Sequence, residues 1–342
     1  MWTMRRQPAG MVAVLALGWG AMTAAVGPAA VAALSDGGPG DADIAFVGRW
    51  TQSASDAVPN WTGAYLKTSF TGRTLHIKQR DAVNMYVSID GAPEVFYAGV
   101  RGTVNLTPTA LAAGTHTVQV SYRSGDTIFQ GFTFDSGAGT VAPVISPKLI
   151  EFVGDSITAG YLSSKLAVTA YGWVLGEKLG VRHVQIARAG YCLVMTADGC
   201  TGQSTQFFRL ASTGTTAWDF TRYQASAVVI NLGTNDVGHG VTDATFQSTY
   251  TGFLQNIRAK YPNAALFVME TFKRRYVAAT KAAVAARNSA GDRNVYFVGT
   301  EGWLTDNVDY ADGNGHPNDA GHIKIANDLA PIIAPKIGVP IP

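Results

Sequence analysis

Apolar and polar positions change rhythm near the middle of the chain. From about residue 43 to 136 the apolar residues fall in short runs rich in Val, Ile, Tyr, Phe and Thr, among them Thr74–Lys78, Met85–Ile89, Thr117–Tyr122 and Ile128–Phe134. Turn pairs such as Thr71-Gly72, Asp90-Gly91, Ala113-Gly114 and Ser124-Gly125 separate the runs. No stretch there has the length and period of a helix. Turns spaced roughly 8–12 residues apart predict an all-β sandwich. Residues 137–147 read as a linker by their Gly and Ala content. From 148 to 342, strand-like runs (Ile150–Val153, Val184–Ala187, Ala227–Asn231, Ala265–Met269, Val295–Val298) alternate with helical segments (Ala170–Leu179, Phe246–Tyr261, Tyr276–Asn288, Ala320–Lys336). Alternation of this kind predicts an α/β domain of three layers, a parallel sheet with helices on both faces.

The N-terminal 34 residues follow neither pattern. Arg5 and Arg6 precede an apolar run from Met11 to Val26, and Ala30-Val31-Ala32 fits a small-residue cleavage site. The run is short and broken by Gly18 and Gly20, so residues 1–34 are expected to be a cleaved export signal and not a membrane anchor. The paired arginines alone point only weakly to twin-arginine export. Residues 35–42 read as a flexible mature N-terminus. With Arg5 and Arg6 set aside, the remaining 24 basic residues balance 24 acidic ones. No basic run is longer than Lys273-Arg274-Arg275, so a nucleic-acid partner is not expected, and no membrane contact is expected after signal cleavage. At 342 residues the chain exceeds what one core usually supports, which agrees with two domains. Cys192 and Cys200 are an even, closely spaced pair, expected to form one disulfide in an exported chain, with two buried thiols as the alternative. Without a nearby histidine pair they make a poor zinc site, and no metal or other cofactor is expected.

The candidate chemistry starts at Leu149-Ile150-Glu151-Phe152-Val153-Gly154-Asp155-Ser156, a buried-strand pattern that delivers a serine into a strand-to-helix turn. A serine needs a base, an orienting group and oxyanion donors to act as a nucleophile. Ligands of such sheets collect at the carboxyl ends of the strands. Gly190 and Gly233-Thr234-Asn235-Asp236 follow the next two strands, so the Ser156 and Gly190 amides and the Asn235 side chain are the candidate oxyanion donors. Among six histidines, His316 is the preferred base because Pro317 and the following helix hold its backbone. His239 is the minor competitor, His183 is structural or solvated, and His322 is expected at the surface. Asp312, four residues before His316, is the candidate orienting acid, but it is equally able to cap its own turn. Asp309 and a backbone carbonyl remain alternatives. Asp155 orders the nucleophile turn or meets substrate. Trp303 and Tyr310 are candidate substrate contacts, Trp218 sits in another post-strand loop, and Trp50 and Trp61 are expected to be core or interdomain residues.

Gly154-Asp155-Ser156-Ile157, Gly190, Gly233-Thr234-Asn235-Asp236 and His316-Pro317-Asn318 resemble, in order, the four blocks of the SGNH or GDSL-type hydrolase superfamily. The resemblance implies a Ser156 nucleophile, a His316 base and an oxyanion hole of Ser156, Gly190 and Asn235. The family usually sets its acid two or three residues before the histidine, whereas Asp312 lies four before, which leaves triad against dyad open. A β-rich domain ahead of the hydrolase narrows the resemblance to carbohydrate esterase family 2, with a jelly-roll-like first domain. That resemblance implies an exported esterase removing acetyl groups from polysaccharides such as xylan or mannan. A lipase or phospholipase of the same superfamily and an inactive carbohydrate-binding protein are the alternatives.

Overall fold

The computed structural model describes residues 1–2, 36–125 and 127–341; the predicted export signal lies outside the described residues except for Met1 and Trp2. The β-rich part comprises β1 (Ala45–Val47), β2 (Trp50–Gln52), β3 (Ala57–Pro59), β4 (Tyr65–Gly72), β5 (Leu75–Ile89), β6 (Val95–Asn105), β7 (Gly114–Gly125), β8 (Phe129–Phe134) and β9 (Thr140–Val141). They pair antiparallel in the order β1-β4-β7-β5-β8-β3-β2, with β6 added to β5 and β9 to β4. The expected runs Thr74–Lys78 and Met85–Ile89 belong to one strand, β5. Its register shifts between Gln79 and Met85, so one end pairs with β8 and the other with β7. Such an irregularity bends a strand and lets it serve two partners. Leu75, Ile77, Val83, Met85 and Val87 of β5 enter the core that Trp50, Phe70 and Phe129 fill.

Two expectations for the flanks are corrected. Thr140 and Val141, placed in the linker, pair with Phe70 and Ser69 of β4, because β-branched residues complete an open sheet edge despite the glycines before them. Residues 37–41 are not a loose tail. Phe132 N–H donates to Gly37 O at 2.9 Å, and buried Asp41 accepts from Thr140 Oγ1 at 2.5 Å.

The second part comprises β10 (Leu149–Gly154), α1 (Tyr171–Lys178), β11 (Arg182–Ala187), α2 (Gln203–Gln206), β12 (Ala227–Asn231), α3 (Asp243–Lys260), β13 (Ala265–Met269), α4 (Val277–Ser289), β14 (Val295–Val298) and α5 (Asp319–Ile337). The strands form a parallel sheet in the order β11-β10-β12-β13-β14. Alternate residues of each strand feed opposite faces. Ile150, Phe152, Val229 and Phe267 pack under α1 and α5, whereas Val153, Val228, Ile230 and Val268 pack under α3 and α4. Among the described residues no helix is long and apolar enough to cross a membrane.

The β-rich part does not hang on a tether. Val47, Trp61, Tyr65 and Tyr86 join the same apolar cluster as β10 and β12. At the centre of the seam sits Arg49, fully buried. Its Nη1 donates to Phe207 O and, at 2.7 Å, to Arg209 O, while Nη2 meets Glu151 Oε1 on β10 at 3.2 Å. Tyr223 OH donates to the same oxygen at 2.6 Å, and the guanidinium lies 4.9 Å from the Phe207 ring centroid and 5.2 Å from that of Trp218. Burial, the largest single influence, disfavours the Arg49 charge, but Glu151 together with Tyr223 and Tyr261 outweighs it and the net shift is upward.

His322, expected at the surface, is fully buried. Its position in the first turn of α5 faces the start of α1, where its Nδ1 accepts from Tyr171 N–H at 3.2 Å and its ring stacks on Tyr171. Burial pushes its pKa down to about 4.

Two outcomes are expected from these contacts. Arg49→Met leaves Glu151 charged and unpaired, and should cost about 3–5 kcal/mol in urea unfolding, with Arg49→Met/Glu151→Met losing less than the single variant. A loss under about 1 kcal/mol would show that the pair does not hold the seam. For His322 the folded pKa lies below the unfolded one, so from pH ~6.5 downward the unfolded chain takes up a proton that the folded chain refuses. Stability should therefore fall by about 3 kcal/mol between pH ~6.5 and 4 through this group, and stay level above that window. His322→Asn, which keeps an acceptor for Tyr171, should flatten that limb; parallel acid limbs in both proteins would rule His322 out.

Candidate active site

Register decides which loops meet. Gly154 at the end of β10 is flanked by Ala187 of β11 and Asn231 of β12. The segments that carry Ser156, Gly190 and Asn235 therefore leave the sheet side by side. Gly154 has no room for a side chain: a Cβ there would lie 2.0 Å from Thr158 Oγ1 and 2.9 Å from Asn231 O. The peptide that follows is a series of turns and not yet a helix. Ala159 N–H donates to Asp155 O at 3.0 Å and Tyr161 N–H to Ser156 O at 2.9 Å. Asp155 was expected to order this turn or meet substrate. It is fully buried, and its Oδ1 accepts from Ile157 N–H at 3.0 Å. Burial raises its pKa to about 6.

The candidate base arrives from the other end of the chain. His316 Nε2 lies 2.9 Å from Ser156 Oγ. His316 Nδ1 lies 2.6 Å from Asp312 Oδ2. Asp312 Oδ1 accepts from the amides of Gly315 at 2.8 Å and His316 at 2.7 Å. The two readings of Asp312 are thus both realised, since one oxygen caps the turn and the other holds the ring. Burial works to raise the Asp312 pKa, but the ring and the two amides outweigh it and bring it to about 2. The loop itself is clamped: Ala311 N–H donates to His316 O at 2.8 Å, and Asn318, the N-cap of α5, accepts from Gly321 N–H at 3.0 Å. Asp309, the weaker candidate, pairs with Lys324 at 2.7 Å. His239 is held by Asp198 at 2.7 Å, and His183 is buried against Glu177.

Opposite lie the candidate oxyanion donors. Gly190 has φ of 82°, a left-handed value that favours glycine. Among the described residues the backbone amides of Ser156 and Gly190 donate to no protein group. Asn235 Nδ2 donates to Tyr191 O at 2.8 Å, which spends one of its two amide protons. Asp236 next to it is buried and accepts from Leu193 N–H and Val194 N–H, both at 3.0 Å. The Asn235 loop thereby fastens the Gly190 loop. Cys192 and Cys200 form a disulfide in that loop, with Cys200 Sγ 3.4 Å from Gly190 O. His239 lies close to both sulfurs, but sulfurs bonded to one another offer no thiolate to a metal.

Trp303 and Tyr310 do not line this site as expected. Trp303 packs against the core under α5, and Tyr310 is buried, its backbone bridged to Pro317. Trp218 is buried below Arg49 and Arg222. The aromatic residue that does reach the base is Tyr161, about half exposed, its ring edge-on to His316 with centroids 4.9 Å apart. Its segment is held under strain, with Leu162 and Leu166 at φ of 68° and 52°. Ser164 N–H donates to Asp319 at 2.8 Å in the first turn of α5 and ties that segment down. Tyr161, five residues after Ser156, carries no signal in the sequence, whereas Asp236 stood beside Asn235 and was legible as part of the same motif.

Residues 152–323, half of the chain, match the family model described as GDSL-like Lipase/Acylhydrolase, and residues 46–143 match the one described as Carbohydrate esterase 2 N-terminal. The chain belongs to the GDSL-like lipase/acylhydrolase family. It is 29% identical over 317 residues to the cellulase/esterase CelE of Acetivibrio thermocellus, covering 81% of this chain and 37% of that protein. It is 25% identical over 245 residues to an acetylxylan esterase / glucomannan deacetylase of Cellvibrio japonicus, covering 64% and 66% of the two. The matches therefore span less than two thirds of these relatives' own lengths. A family two carbohydrate esterase from Clostridium thermocellum, solved in complex with cellohexaose, superposes with a TM-score of 0.74 at 26% identity, covering 86% of this chain and 99% of that one.

The Asp312 geometry predicts that the carboxylate charge matters as well as the turn. Asp312→Asn keeps a turn acceptor but loses the charge, so kcat for ester hydrolysis should fall on the order of 100–10,000-fold with little change in melting temperature. A loss below tenfold would mean that the imidazole is held without Asp312.

Proposed function

We propose that the chain is an exported serine esterase that removes short acyl groups, acetyl foremost, from a polysaccharide. The observation that carries this reading is the unbroken line of contacts from Ser156 Oγ through the His316 ring to Asp312 at 2.9 and 2.6 Å. In the reaction, Ser156 Oγ attacks the acyl carbonyl while His316 Nε2 takes its proton. Asp312 keeps the Nδ1 proton on the ring and stabilises the imidazolium. The amides of Ser156 and Gly190 and the free Asn235 amide proton receive the charge that develops on the carbonyl oxygen. His316 returns the proton to the departing sugar hydroxyl, and a water activated by the same ring then cleaves the acyl-enzyme. No group outside the chain is required for these steps.

The sugar side rests on the neighbourhood of the site. The cleft beside Tyr161 combines an aromatic and apolar lining with Asn60, Thr62, Thr127 and Ser212, so a sugar ring and its hydroxyls both find partners there. Relatives named as acetylxylan esterases point the same way. Export is supported by the charged, then apolar, then small-residue order of the first 34 residues.

The test is turnover on a series of nitrophenyl esters and on an acetylated xylan. Acetate should be the best acyl group, and Ser156→Ala should leave only residual rate. Asn235→Ala should lower kcat roughly 100–1,000-fold. Best turnover on octanoate or longer esters would instead make the protein a lipase, and failure of a serine-directed phosphonate to label Ser156 would make it a binding protein.

A further inference from the structure

Between the β-rich part and the nucleophile rim lies a cleft of about 700 Å³, a volume in the range of small-ligand sites. Trp61 comes to it from one part, Tyr161 from the other, and Tyr161 joins it to His316. Three charged side chains line it: Asp81, Arg123 and Arg188. Asp81 already has a cation, Arg80 Nε at 3.5 Å. The two arginines have no carboxylate. Arg188 Nη1 donates to Ser212 Oγ at 3.1 Å and Arg123 Nη2 to Ser164 O at 3.2 Å, and neither forms an ion pair among the described residues. Arg188 is exposed and stands two residues before Gly190, beside the oxyanion side of the site.

A chain whose charges balance after residue 34 thus places two guanidinium groups, without an ion pair among the described residues, in a cleft that reaches Tyr161, the neighbour of His316. Guanidinium groups are planar forks that fit carboxylates and hold them by paired, charge-assisted hydrogen bonds. Arg188 is exposed and Arg123 half-buried, so both keep contact with water, and desolvation cancels only part of their attraction for an anion. Neutral glycans need hydroxyl partners and aromatic faces, which the cleft also has, but they give no use to the excess positive charge.

We propose that this cleft is a subsite for an acidic sugar, in which Arg188 and Arg123 take the carboxylate of a hexuronic acid residue while the acylated neighbour lies at Ser156. The inference rests on the esterase reading for its substrate class but not for its binding chemistry. It makes the preferred substrate an acetylated glycan that carries uronic acid close to the ester. Arg188 and Arg123 are then specificity-determining residues of the same site.

Two measurements separate the subsite from the esterase reading. The first compares acetate release from an acetylated xylo-oligosaccharide bearing one hexuronic acid with release from its neutral counterpart. The intact protein should favour the acidic substrate about tenfold in kcat/KM, a preference that shrinks at high salt. Arg188→Gln and Arg123→Gln should bring the ratio towards one, and Arg188→Lys should retain part of it, since the charge stays and the fork is lost. The second measures binding of uronic acid-bearing xylotriose and of xylotetraose to the Ser156→Ala protein by calorimetry, where no turnover is needed. Tighter binding of the acidic sugar that Arg188→Gln abolishes supports the subsite even if no ester is cleaved. Equal binding of the two sugars, or arginine variants that weaken both alike, overturns it. Full displacement of the acidic sugar by inorganic phosphate at equal concentration would mark a general anion site and also overturns it.

Discussion

Arg49 and Glu151 set the constraint on which the rest of the molecule depends. A cation and a carboxylate buried together are expensive to strip of water, and neither tolerates the loss of the other. Both are fully buried here, one from each part of the chain. Glu151 lies on β10, five residues before Ser156, so the contact that joins the two parts also grips the strand that leads to Ser156. Around it the seam is apolar and aromatic, with Trp61 edge-on to Tyr191 and Tyr65 edge-on to Trp173. Thr62 Oγ1 reaches across to Ala187 O at 2.9 Å, at the end of β11. The β-rich part therefore forms one wall of the cleft beside Tyr161 and is not merely an appendage.

From that fixed strand the site is assembled by lateral register. Adjacent parallel strands end level with one another, and whatever follows their last residues is brought together regardless of sequence distance. Ser156, Gly190 and Asn235 share one rim for this reason. His316 comes from beyond the sheet, and a clamped turn replaces strand register as the means of holding it. Asp312 serves turn and ring at once, which explains how an acid four residues away still reaches the imidazole: the left-handed Gly313 at φ of 89° and the amides of Gly315 and His316 curl the loop around the carboxylate.

The features legible beforehand were those with a strong local signature. Alternation of strands and helices specified the three layers, and β12, β13 and β14 have the bounds expected from apolar runs. Ser156 and His316 stood out because glycine, proline and a capping asparagine frame them. The side chains around the Ser156–His316 contact left no such trace. Trp303 and Tyr310 were chosen for nearness in sequence to His316, yet nearness along a loop says little about which way a ring points, and both turn to the core. His322 misled in the same manner, since a polar residue in a first helical turn is usually solvated, and here the helix meets α1 on that face.

The amino-acid sequence by itself determined the local grammar: which segments become strands, where a serine leaves a strand, and which turn presents a histidine. Those outcomes follow from side-chain periodicity and from the φ demands of glycine and proline, which act within a few residues. The tertiary structure alone decided the 2.9 Å contact between Ser156 and His316, the burial of Arg49 against Glu151, and the pairing of Tyr161 with the His316 ring. These depend on packing between elements far apart in the chain, where close-packed interiors accept one arrangement of facing side chains and no short-range rule records which.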